Sequence, residues 1–361
     1  MSGKRSTMLD ETRAIIHLDL DAFYAAVEIL QSPELAERPV LVGGLPGGRG
    51  VVASASYTAR AFGVRSAMPT CRALALCPGA VVLRPRFSLY RDYSRRVMRI
   101  LQQTSELVQQ VSIDEAYLDV SEQIPEWEAA IKIAEQLQRQ VQKDTGLSAS
   151  LGVATNKLVA KIASDHEKPG GLTIVRPGEE AHFLAPLPVR VLWGVGPVTA
   201  RKLGELGVAS VGQLAAIPED ELRRRFGRQG AALARQARGI DNRPIVTERE
   251  PKSVSQERTF SRDQSDPQAL EQQLERMSRK VADRLRSQEL AAGTVAIKLR
   301  YSDFSTLTRQ MMLDVPTNSE QSISRAAQTL LYRAWQPGRP VRLLGVAAHR
   351  LTRPAGQMPL L

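Results

Sequence analysis

Two acid-bearing segments hold most of the chemistry that this sequence can offer. Ser112-Ile113-Asp114-Glu115-Ala116-Tyr117-Leu118-Asp119 sets adjacent carboxylates in an alternating apolar run, and roughly ninety residues earlier Ile15-Ile16-His17-Leu18-Asp19-Leu20-Asp21 does the same. Carboxylates in strand-like runs are costly to bury unless positive charge meets them, and a divalent cation is a common partner. Neighbours on a regular strand face opposite ways, so Asp114 and Glu115 address one point only where the chain turns. A strand end or hairpin there would bring both toward Asp19. Three converging carboxylates would bind two Mg²⁺ ions about 3.5–4 Å apart and assist in-line phosphoryl displacement. The donors are oxygens, with no thiolate or imidazole cluster, which suits Mg²⁺. His17 faces the side of Asp19, but one imidazole adds little. Each acid also has a plainer alternative: Asp21 capping the next helix, Asp119 solvated, Glu115 paired with an arginine.

Periodicity gives the elements that must carry these acids. Ile16, Leu18 and Leu20 alternate with His17, Asp19 and Asp21, predicting a strand with one apolar and one acidic face. From Ala22 the period lengthens, with Phe23, Ala26, Val27 and Leu30 at helical spacing until Ser32-Pro33. Residues 38–42 and 51–54 read as short strands. The glycine-rich stretch between them lacks both the dinucleotide spacing and a Gly-Lys-Ser/Thr, so it reads as a hairpin. Residues 88–110 read as a helix with an Arg91, Arg95, Arg96, Arg99 stripe, running into a strand at Val111. An amphipathic helix over 126–144 ends at Gly146. A strand through Leu147, Ala149, Leu151 and Val153 follows, then a helix from Asn156 to about Asp165, closed by Lys168-Pro169-Gly170-Gly171. This order predicts an α+β sandwich with the acidic strand ends on one sheet face.

Residues 190–243 read as a small helical unit, in which Gly194 and Gly196 precede a helix with Pro197 in its first turn. Backbone N–H groups there could hold a phosphate, as in a helix-hairpin-helix, although an ordinary helix turn is the alternative. Residues 244–252 read as an extended linker. Beyond them lie a strand (253–260), a helix (268–289), strands at 293–301 and 306–314, a helix (318–335) and a last strand (341–351). That β-α-β-β-α-β module bears Arg258, Arg262, Lys298, Arg300 and Arg309 on its strands.

A chain of 361 residues is expected to form two to four domains. Its net charge of +11 is uneven. Residues 1–189 hold 21 Lys+Arg against 21 Asp+Glu, residues 190–243 hold 10 against 5, and residues 244–361 hold 18 against 12. A neutral, acid-containing half joined to a basic half suggests that one part grips a polyanion while the other does chemistry. Cys71 and Cys77 fit neither a disulfide framework nor a zinc pattern and read as apolar fillers in a reducing compartment. No stretch approaches the roughly 18 apolar residues of a membrane span, and the polar N-terminus has no apolar signal core, so a cytoplasmic protein is expected.

Four long segments, in order, resemble motifs of the Y-family translesion DNA polymerases. They are Asp19-Leu20-Asp21-Ala22-Phe23-Tyr24-Ala25-Ala26-Val27-Glu28, Ser54-Ala55-Ser56-Tyr57-Thr58-Ala59-Arg60-Ala61-Phe62-Gly63-Val64, Ser112 to Asp119, and Gly152 to Ser164. The resemblance covers essentially the whole chain and points to the bacterial DNA polymerase IV branch. It implies a right-hand fold, α+β and multidomain. The palm would be residues 1–30 and 88–176, small fingers 31–87, a helical thumb 177–243, a linker 244–252 and a little finger 253–351.

The resemblance also implies roles. Asp19, Asp114 and Glu115, with the Leu20 carbonyl, would hold two Mg²⁺ ions. Phe23, Tyr24, Ser54, Tyr57, Arg60 and Lys161 would contact the incoming nucleotide. Tyr24 would collide with a 2′-hydroxyl, and Tyr57, Arg60 and Lys161 would meet the triphosphate. Lys157 and Lys161 are four apart, hence on one helix face, consistent with that use. Gly194, Gly196, Arg258, Lys298, Arg300 and Arg309 would grip primer–template DNA. Ser54, Ser56 and Ala22 depart from the commonest residues of these motifs, which leaves lesion preference open. The ending Gln357-Met358-Pro359-Leu360-Leu361 is similar to a sliding-clamp peptide, so residues 352–361 would form a clamp-binding tail through Gln357, Met358, Leu360 and Leu361. A monomer without exonuclease or membrane attachment is expected. Two other readings stay open on the acids alone: a template-independent nucleotidyl cyclase, and a non-catalytic DNA-binding partner of the clamp.

Overall fold

The computed structural model describes residues 13–248 and 250–353, so Gln357, Met358, Leu360 and Leu361 lie outside the described residues. The chain divides into two compact units, one built on residues up to 248 apart from 47–49, the other on 47–49 and the residues from 249 onward.

In the first unit, β1 (Ile15–Leu20) leads into α1 (Phe23–Gln31). The hairpin β2 (Val40–Gly43) and β3 (Val52–Ala55) precedes α2 (Tyr57–Ala61), α3 (Thr70–Leu76) and β4 (Val81–Leu83). Then come α4 (Phe87–Thr104), β5 (Val108–Gln110), β6 (Glu115–Asp119), α5 (Glu128–Thr145), β7 (Ala149–Ala154), α6 (Lys157–His166) and β8 (Leu172–Ile174). The main sheet runs β5-β6-β1-β7-β8, and a smaller one β3-β2-β4. Ile16, Leu18 and Leu20 of β1 face a core shared with α1, α4 and α5, as their alternation predicts. The face expected to be acidic is not open: Ile15 and His17 are fully buried there, beneath α6. Only the Asp19 end of that face reaches the cavity described below.

That tight cover depends on Gly152, where a Cβ would stand 2.0 Å from the Ala160 carbonyl oxygen on α6. No side chain fits so close a helix–strand approach.

Two sequence expectations need correction. The helix expected to reach residue 110 ends at Thr104, where Ser105 turns extended, and β5 occupies 108–110. Residues 111–114 are therefore a hairpin turn, and no strand begins at Val111. Cys77 is buried in a small core with Leu41, Val52 and Ala59 as expected, but Cys71 is exposed.

The rest of this unit is helical: α7 (Glu180–Leu184), α8 (Pro197–Gly204), α9 (Val211–Ala215), α10 (Glu219–Phe226) and α11 (Arg228–Ala237). Gly194 takes φ +86°, a conformation suited to glycine, and its carbonyl accepts Gln229 Nε2 at 2.8 Å. Gly196 precedes Pro197 at the start of α8. Residues 244–246, at the start of the stretch read as an extended linker, are bonded to the rest of the first unit. Lys157 Nζ donates to the Pro244 carbonyl at 2.7 Å, and Val246 N donates to Gln109 Oε1 at 3.0 Å.

The second unit is β9 (Ser253–Gln264), α12 (Pro267–Ser287), β10 (Ala291–Tyr301), β11 (Thr306–Thr317), α13 (Glu320–Ala334) and β12 (Val341–Thr352). Its sheet runs β11-β10-β12-β9, antiparallel throughout, with both helices on one face. No helix of the described residues is long and apolar enough to cross a membrane.

Candidate active site

β1 pairs antiparallel with β6, and the register sets Asp19 directly opposite Glu115. Residues so paired project to one side, with Cβ atoms about 5 Å apart. Leu20 N donates to the Asp114 carbonyl at 3.0 Å, which pins the 111–114 turn against the end of β1. The Ser112 hydroxyl is bonded to the Asp114 carboxylate and also accepts Glu115 N at 3.1 Å, so one serine shapes the turn. The hairpin sets Asp114 beside the end of β1, while Glu115, opposite Asp19, turns toward Lys161 and His17.

Asp19, Leu20 and Asp114 line a cavity of about 300 Å³ together with Phe23, Tyr24, Ser54, Tyr57, Arg60 and Lys168. Every nucleotide contact expected from sequence is there except Lys161. That lysine instead donates to Glu115 Oε2 at 2.5 Å. Lys157, one turn earlier, is buried and serves Gln109 Oε1 and the Pro244 carbonyl, so sharing a helix face does not make it a triphosphate contact. The cation beside Tyr57 and Arg60 is Lys168, whose ammonium lies 2.8 Å from Asp19 and 2.7 Å from Asp165. Sequence reasoning passed over it as part of a closing turn. Its only signal was a lysine beside Pro-Gly-Gly, one turn past a helix that was itself recognised.

Among the described residues no three acidic, imidazole or thiol side chains form a ready-made ligand set. Glu115 turns toward Lys161 and His17, and Asp19 toward Lys168. The donor chemistry nevertheless fits a hard divalent cation. Burial pushes the Asp19 carboxyl up to about 6 despite Lys168 beside it, so this acid is under-compensated by its present partners. Glu115 is the opposite case: hydrogen bonding from His17 and Lys161 outweighs burial and holds it at about 2. Burial pushes the His17 imidazole below its ordinary value. Its Nε2 faces Glu115 Oε2 at 3.5 Å and its Nδ1 lies 2.7 Å from Ser164 Oγ. The Ser164 hydroxyl donates to the Lys161 carbonyl at 2.8 Å, which leaves its oxygen free to accept from Nδ1. His17 is thus a buried imidazole set beside Glu115.

Asp21 does not cap α1, contrary to the plainer expectation. The N-cap is Ala22, in a left-handed conformation with no side-chain cap bond. Asp21 accepts from Ser148 Oγ at 2.7 Å, Ser150 Oγ at 2.8 Å, Gly170 N at 2.8 Å and Tyr57 OH at 3.3 Å. It fastens the Lys168 loop and Tyr57 to the main sheet. Asp119 is not simply solvated but accepts from Ser121 N at 3.1 Å. Arg60 Nε donates to the Ala55 carbonyl at 3.0 Å, and its guanidinium lies 4.8 Å from the Tyr57 ring centroid.

The four basic residues expected to grip DNA in the second unit divide between two faces. Arg258 is in register with buried Leu344, and Arg309 with buried Ile297, so both lie on the helix side of the sheet. Arg258 donates to Gln273 Oε1 of α12 at 2.8 Å. Lys298 and Arg300 lie on the face away from the helices, where Lys298 pairs with Glu257 at 3.1 Å. Cross-strand register decides the division, since Arg309 pairs with Ile297 and Arg258 with Leu344, a pairing that no single strand's pattern reveals.

Residues 18–165 match the impB/mucB/samB family, residues 177–208 the IMS family HHH motif, and residues 251–360 the C-terminal domain of the impB/mucB/samB family. A DNA polymerase IV from Halorhodospira halophila is 45% identical over 335 residues, 93% of this chain and 94% of that one. A DNA polymerase IV from Listeria innocua is 40% identical over 343 residues, 95% and 96% of the two chains. The solved Y-family DNA polymerase chimera Dbh-Dpo4(243-245)-Dbh is similar at a TM-score of 0.84 and 27% identity, covering 93% of this chain and 98% of that one. An insertion ternary complex of Dbh DNA polymerase is similar at a TM-score of 0.66 and 26% identity, with the same coverage.

Proposed function

The chain belongs to the Y family of translesion DNA polymerases, in its bacterial DNA polymerase IV branch, and from that premise we propose which residues do the work. It is a DNA-directed DNA polymerase acting on primer–template DNA and deoxyribonucleoside triphosphates. The observation that carries the site assignment is the opposition of Asp19 and Glu115 across β1 and β6, with Asp114 at the hairpin turn beside them.

A divalent cation requirement comes with the family. We assign it to two Mg²⁺ ions, held by Asp19, Asp114, Glu115 and the Leu20 carbonyl. When bound, they would make the primer 3′-oxygen a better nucleophile and take up charge on the departing pyrophosphate. The remaining work belongs to the protein. Lys168, Tyr57 and Arg60 seat the triphosphate, a role moved here from Lys161 to Lys168 because only the latter lines the cavity. Lys161 orients Glu115 and holds it ionised. Asp21 keeps Tyr57 and the Lys168 loop in place. Tyr24, lining the cavity, excludes a 2′-hydroxyl from the sugar position.

Lys298 and Arg300, with the backbone around Gly194 and Gly196, are the proposed phosphate contacts, making binding steeply salt-dependent. The tail through Gln357, Met358, Leu360 and Leu361 is proposed to dock the sliding clamp, and the enzyme to act as a cytoplasmic monomer. A cyclase and a non-catalytic clamp partner are not favoured, because relatives named DNA polymerase IV match over nearly the whole chain. Primer extension on intact and damaged templates tests the reading. Template-directed extension past the damage is expected, and nucleotide conversion without primer or template would overturn it.

A further inference from the structure

Tyr24 does not stand alone in the cavity wall. Its ring stacks on Tyr90 of α4, centroids 4.4 Å apart and planes 14° from parallel. Phe87 meets both rings edge-on, at 6.1 Å and 6.0 Å. Tyr90 is fully buried, and its hydroxyl donates to Glu28 Oε1 at 2.5 Å. Glu28 lies one helical turn beyond Tyr24 on α1, is 3% exposed, and receives the Arg86 guanidinium on both oxygens, Nε at 3.0 Å. A carboxylate buried so completely is costly unless its acceptors are filled, and here they are filled from the first turn of α4 and its N-cap. Glu28, Arg86 and Tyr90 do not line the cavity.

We propose that the Glu28–Arg86–Tyr90 network is a positioning device for sugar discrimination: it fixes the Tyr90 ring as a rigid backing that keeps Tyr24 in the plane where it meets a 2′-hydroxyl. The proposal rests on the assignment of Tyr24 as the sugar gate. A stack alone allows a ring to slide or tip, whereas a hydroxyl anchored to a charged, immobile acceptor sets both tilt and depth. Discrimination is therefore set partly by residues that never touch the nucleotide.

The experiment measures kcat/KM for one deoxyribonucleotide and its ribonucleotide, using the full-length enzyme on primer–template DNA with Mg²⁺. The variants are Tyr90→Phe, Glu28→Gln and Tyr24→Ala, with the two doubles that carry Tyr24→Ala. Tyr90→Phe keeps the stacked ring and deletes only the anchoring hydroxyl, so it stays informative if Glu28→Gln folds poorly. Each single network variant is expected to lower the deoxyribonucleotide preference roughly tenfold, the scale of one hydrogen bond to a charged group. Deoxyribonucleotide kcat should change little. In the Tyr24→Ala background the network variants should have no further effect on the ratio, because they act through that ring. An unchanged ratio in both network variants, while Tyr24→Ala collapses it, would overturn this proposal and leave the gate standing. An unchanged ratio in Tyr24→Ala would overturn both.

Discussion

Replacing Asp19 by Asn should abolish nucleotidyl transfer and make the folded chain more stable. The carboxyl sits at about 6, against an ordinary value of 3.8, chiefly through burial. A raised acid binds its proton more tightly in the folded state, so ionised Asp19 opposes folding above about pH 6, and this opposition fades as the pH falls toward 4. A gap of about two units corresponds to about 3 kcal/mol. That is a sizeable share of a typical stability of about 5–15 kcal/mol. Asparagine removes the buried charge but leaves Lys168 with Asp165 alone, so the net gain at pH 7.5 is expected to be about 1–3 kcal/mol. Urea unfolding of the full chain, wild type against Asp19→Asn and without divalent cations, measures it. The gap should close between pH 6 and pH 4. Added Mg²⁺ should stabilise the wild type more than the variant. A variant less stable at pH 7.5, or a gap that does not depend on pH, would refute the reasoning.

Three further outcomes follow from contacts elsewhere. Lys168→Ala should raise KM for the incoming triphosphate about tenfold or more, the loss of a charge-assisted contact, in steady-state incorporation assays; an unchanged KM would return the role to another cation. Gly152→Ala should lower stability by about 3 kcal/mol or more in the same urea assay, because its Cβ would stand 2.0 Å from the Ala160 carbonyl. Lys298→Ala and Arg300→Ala should each reduce the salt slope of primer–template binding by about one, whereas Arg258→Ala, on the helix side of the sheet, should leave it unchanged.

Much of the architecture was legible because the period of the apolar residues changes cleanly. Ile16, Leu18 and Leu20 mark a strand and Phe23, Ala26, Val27 and Leu30 the helix after it, and the β-α-β-β-α-β order of the second unit was read without error. The hairpin at 111–114 could be anticipated from chemistry, since two adjacent acids needed a turn to serve one site. Its exact start could not, because Val108-Gln109-Gln110 is too short and polar to break a helical pattern. The short helices at 57–61 and 70–76 give too few turns to show a period. Partners distant in sequence were the least visible. Nothing local says that Glu28 meets Arg86, or that Lys168 rather than Lys161 turns into the cavity. Those pairings follow from how α1 meets α4 and where the chain leaves α6, which are tertiary facts.

The role of Glu115 is decided by single-turnover incorporation of one deoxyribonucleotide opposite a template base, with wild type and Glu115→Gln at saturating primer–template. The variant should lose about a thousandfold or more in rate, with the DNA dissociation constant unchanged. Equal rates in the two proteins would contradict that role.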